Sequence, residues 1–252
     1  MRETSLEWAP VYAWIRETKT MHTRISIAST MFTNTDKDRF EIVLTQYNGS
    51  DKPAWTYHDQ KYLQGLQQRQ LEMSEILTKV GAESANGLLV ILVRNPDKPS
   101  SERRLHLEPW IEYFDSNGKF LTRFPALYGP ETEDPAEWPR YQFAPGVVSD
   151  KNYSTGTILL NINSRPIKFK LILYDKNGST LTSPQLEIQP RGVYSSFLEE
   201  VLPEASQFLA KTNGMGSLLI DGHGLLSYFM FKSKATDMIT SIDHTMAFGY
   251  SC

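Results

Sequence analysis

The stretch whose reading decides the fold is residues 155–190, TGTILLNINSRPIKFKLILYDKNGSTLTSPQLEIQP. Ile167, Phe169, Leu171 and Leu173 fall on one side of an extended chain and Lys168 and Lys170 on the other, until Ile172 breaks the pattern. A period of two is the mark of a strand with one buried face. The DKNG at 175–178 then supplies a turn, because Asn and Gly tolerate the positive φ of tight hairpins. Residues 179–188 resume extended character and stop at Pro190. Pro166 and Pro184 place these runs against a sheet edge or a bulge, since proline has no N–H to give to the ladder.

Working outward, a blurred second copy of this pattern begins near Ile27. HTRISIASTMF at 22–32, a polar turn at 34–38, RFEIVLTQY at 39–47 and a turn at 48–53 repeat the order strand, turn, strand, turn. Asn34 and Asn161 each close a strand, and each copy reaches a Tyr followed by Asn-Gly (Tyr47-Asn48-Gly49; Tyr174, then Asn177-Gly178). Downstream, helical spacing at Leu71, Ile76, Leu77 and Val80 is matched by Phe197, Leu198, Val201 and Leu202. Strands entered by Gly87 and Gly216 follow, then IEYF at 111–114 and LSYF at 226–229. Asn34 to Gly87 spans 53 positions and Asn161 to Gly216 spans 55. The expectation is a mainly β protein of two tandem antiparallel β-sandwich-like domains, a pseudo-repeat, each with one short α-helix.

The remaining segments set the expected boundaries: an N-terminal aromatic arm at 1–20, domain 1 at 21–128, a Pro-rich interdomain connection at 129–152 and domain 2 at 153–252. In the arm, Trp8, Tyr12 and Ile15 are spaced like one face of a short helix, with Trp14 beside them. The connection holds Pro130, Pro135, Pro139 and Pro145 with acids at Glu131, Glu133, Asp134 and Glu137, which makes it semi-rigid. Residues 95–104 form an extra polar loop in the first half.

With 252 residues, 40% hydrophobic and 22% charged, the composition is that of a soluble globular protein and excludes a largely disordered one. A net charge of −3 lacks the basic footprint of a nucleic-acid binder and does not favour an anionic partner. The single cysteine, Cys252, excludes an internal disulfide and a cysteine-built zinc site. Residues 1–20 show neither a leader pattern nor a run of bilayer length, so the expectation is no membrane span and a cytoplasmic location, with export after leader removal as the alternative.

Chemical grammar is sparse. The five histidines form no HExxH, no HxH and no pair at i, i+4 spacing. DGHG at 221–224 reads as a turn between strands, and Asp243-His244 as a hydrogen-bonding pair in the C-terminal strand. No GxSxG and no phosphate loop occurs. Aromatics reach 12%, and the cluster Trp55, Tyr57 and His58 is the candidate surface for ligand contact. The leading expectation is a non-catalytic binding or interaction protein using an interdomain groove or the sandwich loop ends, with a small-molecule, glycan or protein ligand and no nucleic acid. The alternative is an enzyme or metal-dependent protein. Its site would be assembled between the two β domains from His22, His58, Asp243 and His244, with a divalent metal as cofactor.

Overall fold

A computed structural model of the chain describes residues 10–29, 39–61, 63–64, 67–94, 107–129 and 139–248. Trp8, the polar turn at 34–38, the extra loop at 95–104, His106, the acidic cluster at 131–137 and Cys252 lie outside the described residues. The chain divides into two compact units, one of Met1–Asn48 with Lys52–Glu131, the other of Gly49–Asp51 with Thr132–Cys252. Each is mainly β.

In the first unit the elements run β1 (Val11–Glu17), β2 (Met21–Ser29), β3 (Arg39–Tyr47), β4 (Trp55–His58), β5 (Leu63–Gln64), β6 (Gln68–Glu72), α1 (Met73–Val80), β7 (Ala85–Arg94), β8 (Leu107–Asp115), β9 (Phe120–Pro125) and β10 (Leu127–Tyr128). One antiparallel sheet has the order β10-β1-β7-β3-β4 with β5 also on β3; the other is β6-β2-β8-β9. Ile42, Leu44, Leu89 and Ile91 of the first sheet and Ile25, Ile27, Ile111 and Tyr113 of the second are all buried. Tyr113 donates its hydroxyl to the Trp14 carbonyl at 3.0 Å, and the two rings meet edge to face at 5.5 Å. Helix α1 buries Met73, Ile76 and Leu77, and Gly81 (φ 69°) ends it in the left-handed region, where a side chain would be strained.

The second unit runs β11 (Tyr141–Val148), β12 (Tyr153–Asn161), β13 (Ile167–Asp175), β14 (Thr180–Thr182), β15 (Leu186–Ile188), β16 (Val193–Phe197), α2 (Leu198–Val201), α3 (Ala205–Ala210), β17 (Met215–Asp221), β18 (Leu225–Ser233), β19 (Met238–His244) and β20 (Met246–Phe248). Its sheets are β20-β11-β17-β13-β14, with β15 also on β13, and β16-β12-β18-β19. Element for element, this is the strand order of the first unit. One hydrogen bond recurs as well: Thr23 Oγ1 donates to the Arg16 carbonyl at 2.8 Å, and Thr155 Oγ1 to the Val148 carbonyl at 2.9 Å, each tying the unit's first two strands together. Leu171, Leu173, Leu218 and Ile220 from one sheet and Leu159, Leu225 and Phe229 from the other form a single core.

Strand β13 shows the alternation its sequence announces, with Ile167, Phe169, Leu171 and Leu173 buried and Lys168 and Lys170 exposed. In the turn that follows, Asp175 Oδ1 accepts the Asn177 and Ser179 N–H groups at 2.8 and 2.9 Å, and Gly178 takes φ 83°. Pro184 falls in the gap between β14 and β15, where its missing N–H costs no ladder bond. Ser183 spans that gap: its N–H donates to the Leu171 carbonyl at 2.9 Å, and its Oγ accepts the Leu171 N–H at 3.0 Å.

Three expectations are corrected. Residues 11–17 are not part of an arm with a helical face but an interior strand, paired with β7 from Val11↔Ile91 to Glu17↔Ala85. Short apolar runs fit either period, and the tertiary partner decides. The segment 129–152 is not only a connection either, because β11 lies between β17 and β20; Pro145 is accommodated at a bulge where Gly146 takes φ 70°. The second unit has two short helices rather than one, since Pro203 interrupts the helical pattern between α2 and α3.

One side chain knits the end of this unit. Asn161, fully buried, donates its Nδ2 to the carbonyls of Arg165 (2.8 Å), Gln189 (3.0 Å) and Ile188 (3.2 Å). Asn161→Ala is expected to cost about 2–3 kcal/mol, because buried carbonyls lose their donor. Urea denaturation reads this as a lower midpoint at unchanged slope.

Candidate functional site

The residues singled out from the sequence are dispersed. In β4 the alternation puts Trp55 and Tyr57 on the buried side, at 8% and 9% exposure, and His58 on the open side. The two rings therefore fill the core and offer no stacking platform, a correction that follows from the period-two register. Trp55 Nε1 is buried with no hydrogen-bond partner among the described residues. His58 Nδ1 lies 3.5 Å from Glu41 Oε1, and His22, on β2 of the other sheet, has its Nδ1 2.9 Å from Glu17 Oε1. Asp243 and His244 sit on β19, opposite Phe229 and Tyr228. Among the described residues, no three His, Cys, Asp or Glu side chains stand together as a cation site would require.

A concavity of the second unit lies at one end of its six-stranded sheet. A groove of about 640 Å³ is lined by the start of β13, the end of β17 and the loops around Arg165, Gln185 and His223. Its floor follows from register: Lys170 and Tyr141 lie on either side of Asp221 across the sheet, and directly opposed residues share a face. Arg140 grips Asp221 with both guanidinium arms, at 2.7 and 3.3 Å, and this hydrogen bond and the adjacent charge raise the Arg140 pKa further. The same guanidinium lies 5.0 Å over the Tyr141 ring.

The rim is braced from behind. Asn161 holds the Arg165 carbonyl, and its Oδ1 accepts the Asn163 N–H at 2.9 Å; Asn163 Nδ2 in turn donates to the Gly224 carbonyl at 3.1 Å. The loop carrying Arg165 and the loop carrying His223 are thus linked through two asparagines. In DGHG the glycines have backbone duties: a Cβ on Gly222 would stand 2.6 Å from the Phe169 Cβ, and Gly224 takes φ 77°. Sequence reasoning did not find this groove, whose lining comes from four separate segments. The signal available was the pair Lys168 and Lys170 on the open face of a strand.

A second polar cluster pins the helices. Ser149 and Ser154, both buried, donate to the Glu199 carboxylate, the former at 2.6 Å, and Lys234 Nζ lies 2.9 Å from it. Burial alone would push the Glu199 pKa up, but the hydrogen bonds from Ser149, Ser154 and Lys234 outweigh it and hold the carboxyl at about 2. A carboxylate so firmly ionised is suited to fastening α2 to β11 and β12, not to proton transfer.

No family model matches the chain, and no curated protein does. Among solved structures, a glycosyl hydrolase family 2 member from Bacteroides cellulosilyticus shows a TM-score of 0.22 at 9% identity, over 94% of this chain and 26% of that one. A Bacteroides uniformis beta-glucuronidase shows 0.17 at 9% identity, over 96% and 27%. The chain spans about a quarter of the length of these structures, and likeness at this level assigns it no activity. Among the described residues, no helix is long and apolar enough to cross a membrane.

Two outcomes test these placements. Because the folded Glu199 pKa of about 2 lies below its ordinary 4.5, its contribution is complete above pH 4.5 and is lost as pH falls toward 2. Glu199→Gln is expected to cost about 2 kcal/mol at pH 7, allowing for solvent screening, and almost nothing near pH 2, by denaturation at each pH. Trp55→Phe removes an unpaired buried donor and is expected to keep the melting temperature within about 3 °C of the parent. Trp55→Ala leaves a cavity and is expected to cost about 3–5 kcal/mol.

Proposed function

We propose that the chain is a non-catalytic binding protein that takes its ligand at a sandwich loop end, in the groove of the second unit. The observation that carries this reading is the bracing of the groove's rim by Asn161 and Asn163, which spares a ligand the cost of ordering two loops. A volume of about 640 Å³ suits a ligand of small-molecule or short-glycan size. The polar groups lining it are guanidinium and ammonium groups, the Gln185 amide, the His223 imidazole and one carboxylate, Asp221, already engaged by Arg140, a set in which cationic holding groups predominate.

We also infer that the two units are copies of one ancestral unit. The identical strand order in both pairs of sheets and the recurring Thr23 and Thr155 hydrogen bonds support that reading. Duplication supplies two sandwich ends of the same plan, and the groove lies at the end of the second unit.

A thermal-shift screen of metabolites and short glycans, run on the parent and on Gln185→Trp, tests the binding reading. Hits on the parent are expected to vanish when the new indole fills the groove. Hits that persist in Gln185→Trp would remove the groove, and conversion of a hit into product would remove the non-catalytic reading.

A further inference from the structure

The cations lining the groove outnumber its acids. Several basic side chains on other strands stand beside carboxylates: Arg24 beside Glu72 at 2.5 Å, Arg69 beside Asp59 at 2.7 Å, Lys232 beside Asp237 at 2.8 Å. Within the groove Arg140 and Asp221 cancel. Arg165, Lys168 and Lys170 are exposed, and among the described residues no carboxylate forms an ion pair with them. By register each lysine faces an acid that is otherwise engaged: Asp221, opposite Lys170, is held by Arg140, and Glu187, opposite Lys168, accepts from Gln189 Nε2 at 3.0 Å.

Exposed lysines on a strand often serve to protect a sheet edge. That role does not account for both: Lys170 is paired with Asp221 of β17 and Lys168 with Glu187 of β15, and both side chains line the concavity. Three like charges gathered in a concavity repel one another and raise a local positive potential, although the whole chain carries −3. An anion entering the groove relieves that repulsion.

We propose that the groove is a binding site for a small solute carrying two or more oxyanions, with Lys168, Lys170 and Arg165 as its partners. Residues two apart on one face of a strand lie roughly 7 Å apart, so Lys168 and Lys170 address separated charges better than one compact ion. Arg165, at the end of the braced loop, presents a planar fork that pairs two-pronged with a carboxylate, sulfate or phosphate. Gln185 offers an amide for a neighbouring hydroxyl, and Pro166 an apolar edge. The proposal rests on the groove being the binding site; it adds the charge of the occupant.

Titration calorimetry on the full chain at fixed ionic strength separates the two levels. The probes are a disulfated disaccharide, digalacturonate and fructose 1,6-bisphosphate, with sucrose as the uncharged solute of similar size and inorganic sulfate as the single ion. At least one of the three probes carrying two separated oxyanion groups is expected to bind about tenfold or more tighter than sucrose and sulfate, and to weaken as salt rises. The K168Q/K170Q variant is expected to lose about tenfold or more of that affinity while melting like the parent; K176Q/K211Q, on exposed lysines outside the groove, keeps it. All three of these probes binding no better than sucrose, or K168Q/K170Q retaining parental affinity, overturns the proposal. Sucrose binding that Gln185→Trp abolishes would leave the groove as a binding site while removing the anion; binding unchanged in Gln185→Trp would remove the groove itself.

Discussion

The end of the second unit depends on the buried amide of Asn161. Where β12 stops, the chain must leave one sheet, pass through residues 162–166 and enter the other sheet as β13, and this passage exposes carbonyls that no ladder can satisfy. One Nδ2 group serves the Arg165 carbonyl of this passage and the Ile188 and Gln189 carbonyls where the chain leaves β15. The Asn161 N–H itself donates to the Gly192 carbonyl at 2.9 Å, and Arg191 N–H to the Asn163 carbonyl at 3.0 Å. Two crossings between sheets are therefore fastened at one point. Because the same passage carries Arg165, the fold's solution to a backbone problem also fixes a groove wall.

Legibility in the sequence followed how local the deciding physics was. Strand β13 was readable because a half-buried strand writes its own alternation, and the turn at 175–178 because its geometry admits few residues. Strand β1 was not: VYAWI is buried at every position, so it carries no period, and only its pairing with β7 makes it a strand. Strand β11 was hidden by Pro145, which a bulge at Gly146 accommodates inside a sheet. Trp55 and Tyr57 were visible as aromatics, but the face they would take depended on the register of β4 against β3.

The groove was illegible for a different reason. Net charge averages over the chain, and −3 conceals a lining in which Arg165, Lys168 and Lys170 form no ion pair among the described residues. Whether a lysine on a strand protects an edge or faces a cavity depends on which strands flank it. That information is topological, and it resides in β17, β14 and β15 rather than in β13 itself.

The two units make the same point by contrast. The first cross-strand pair between β3 and β7 is Glu41 opposite Arg94, and the corresponding pair between β13 and β17 is Lys170 opposite Asp221. The plan of the sheet is kept while the signs of its charges are exchanged. In the second unit the acid of the pair is drawn to Arg140, outside the pair, and among the described residues Lys170 forms no ion pair. A framework held by core packing and backbone hydrogen bonds tolerates such an exchange at little cost, since exposed charge pairs contribute at most about 1 kcal/mol. Under the proposed duplication, fold and binding are therefore separable: the apolar alternation common to both copies carries the sandwich, and the polar positions that differ carry the groove.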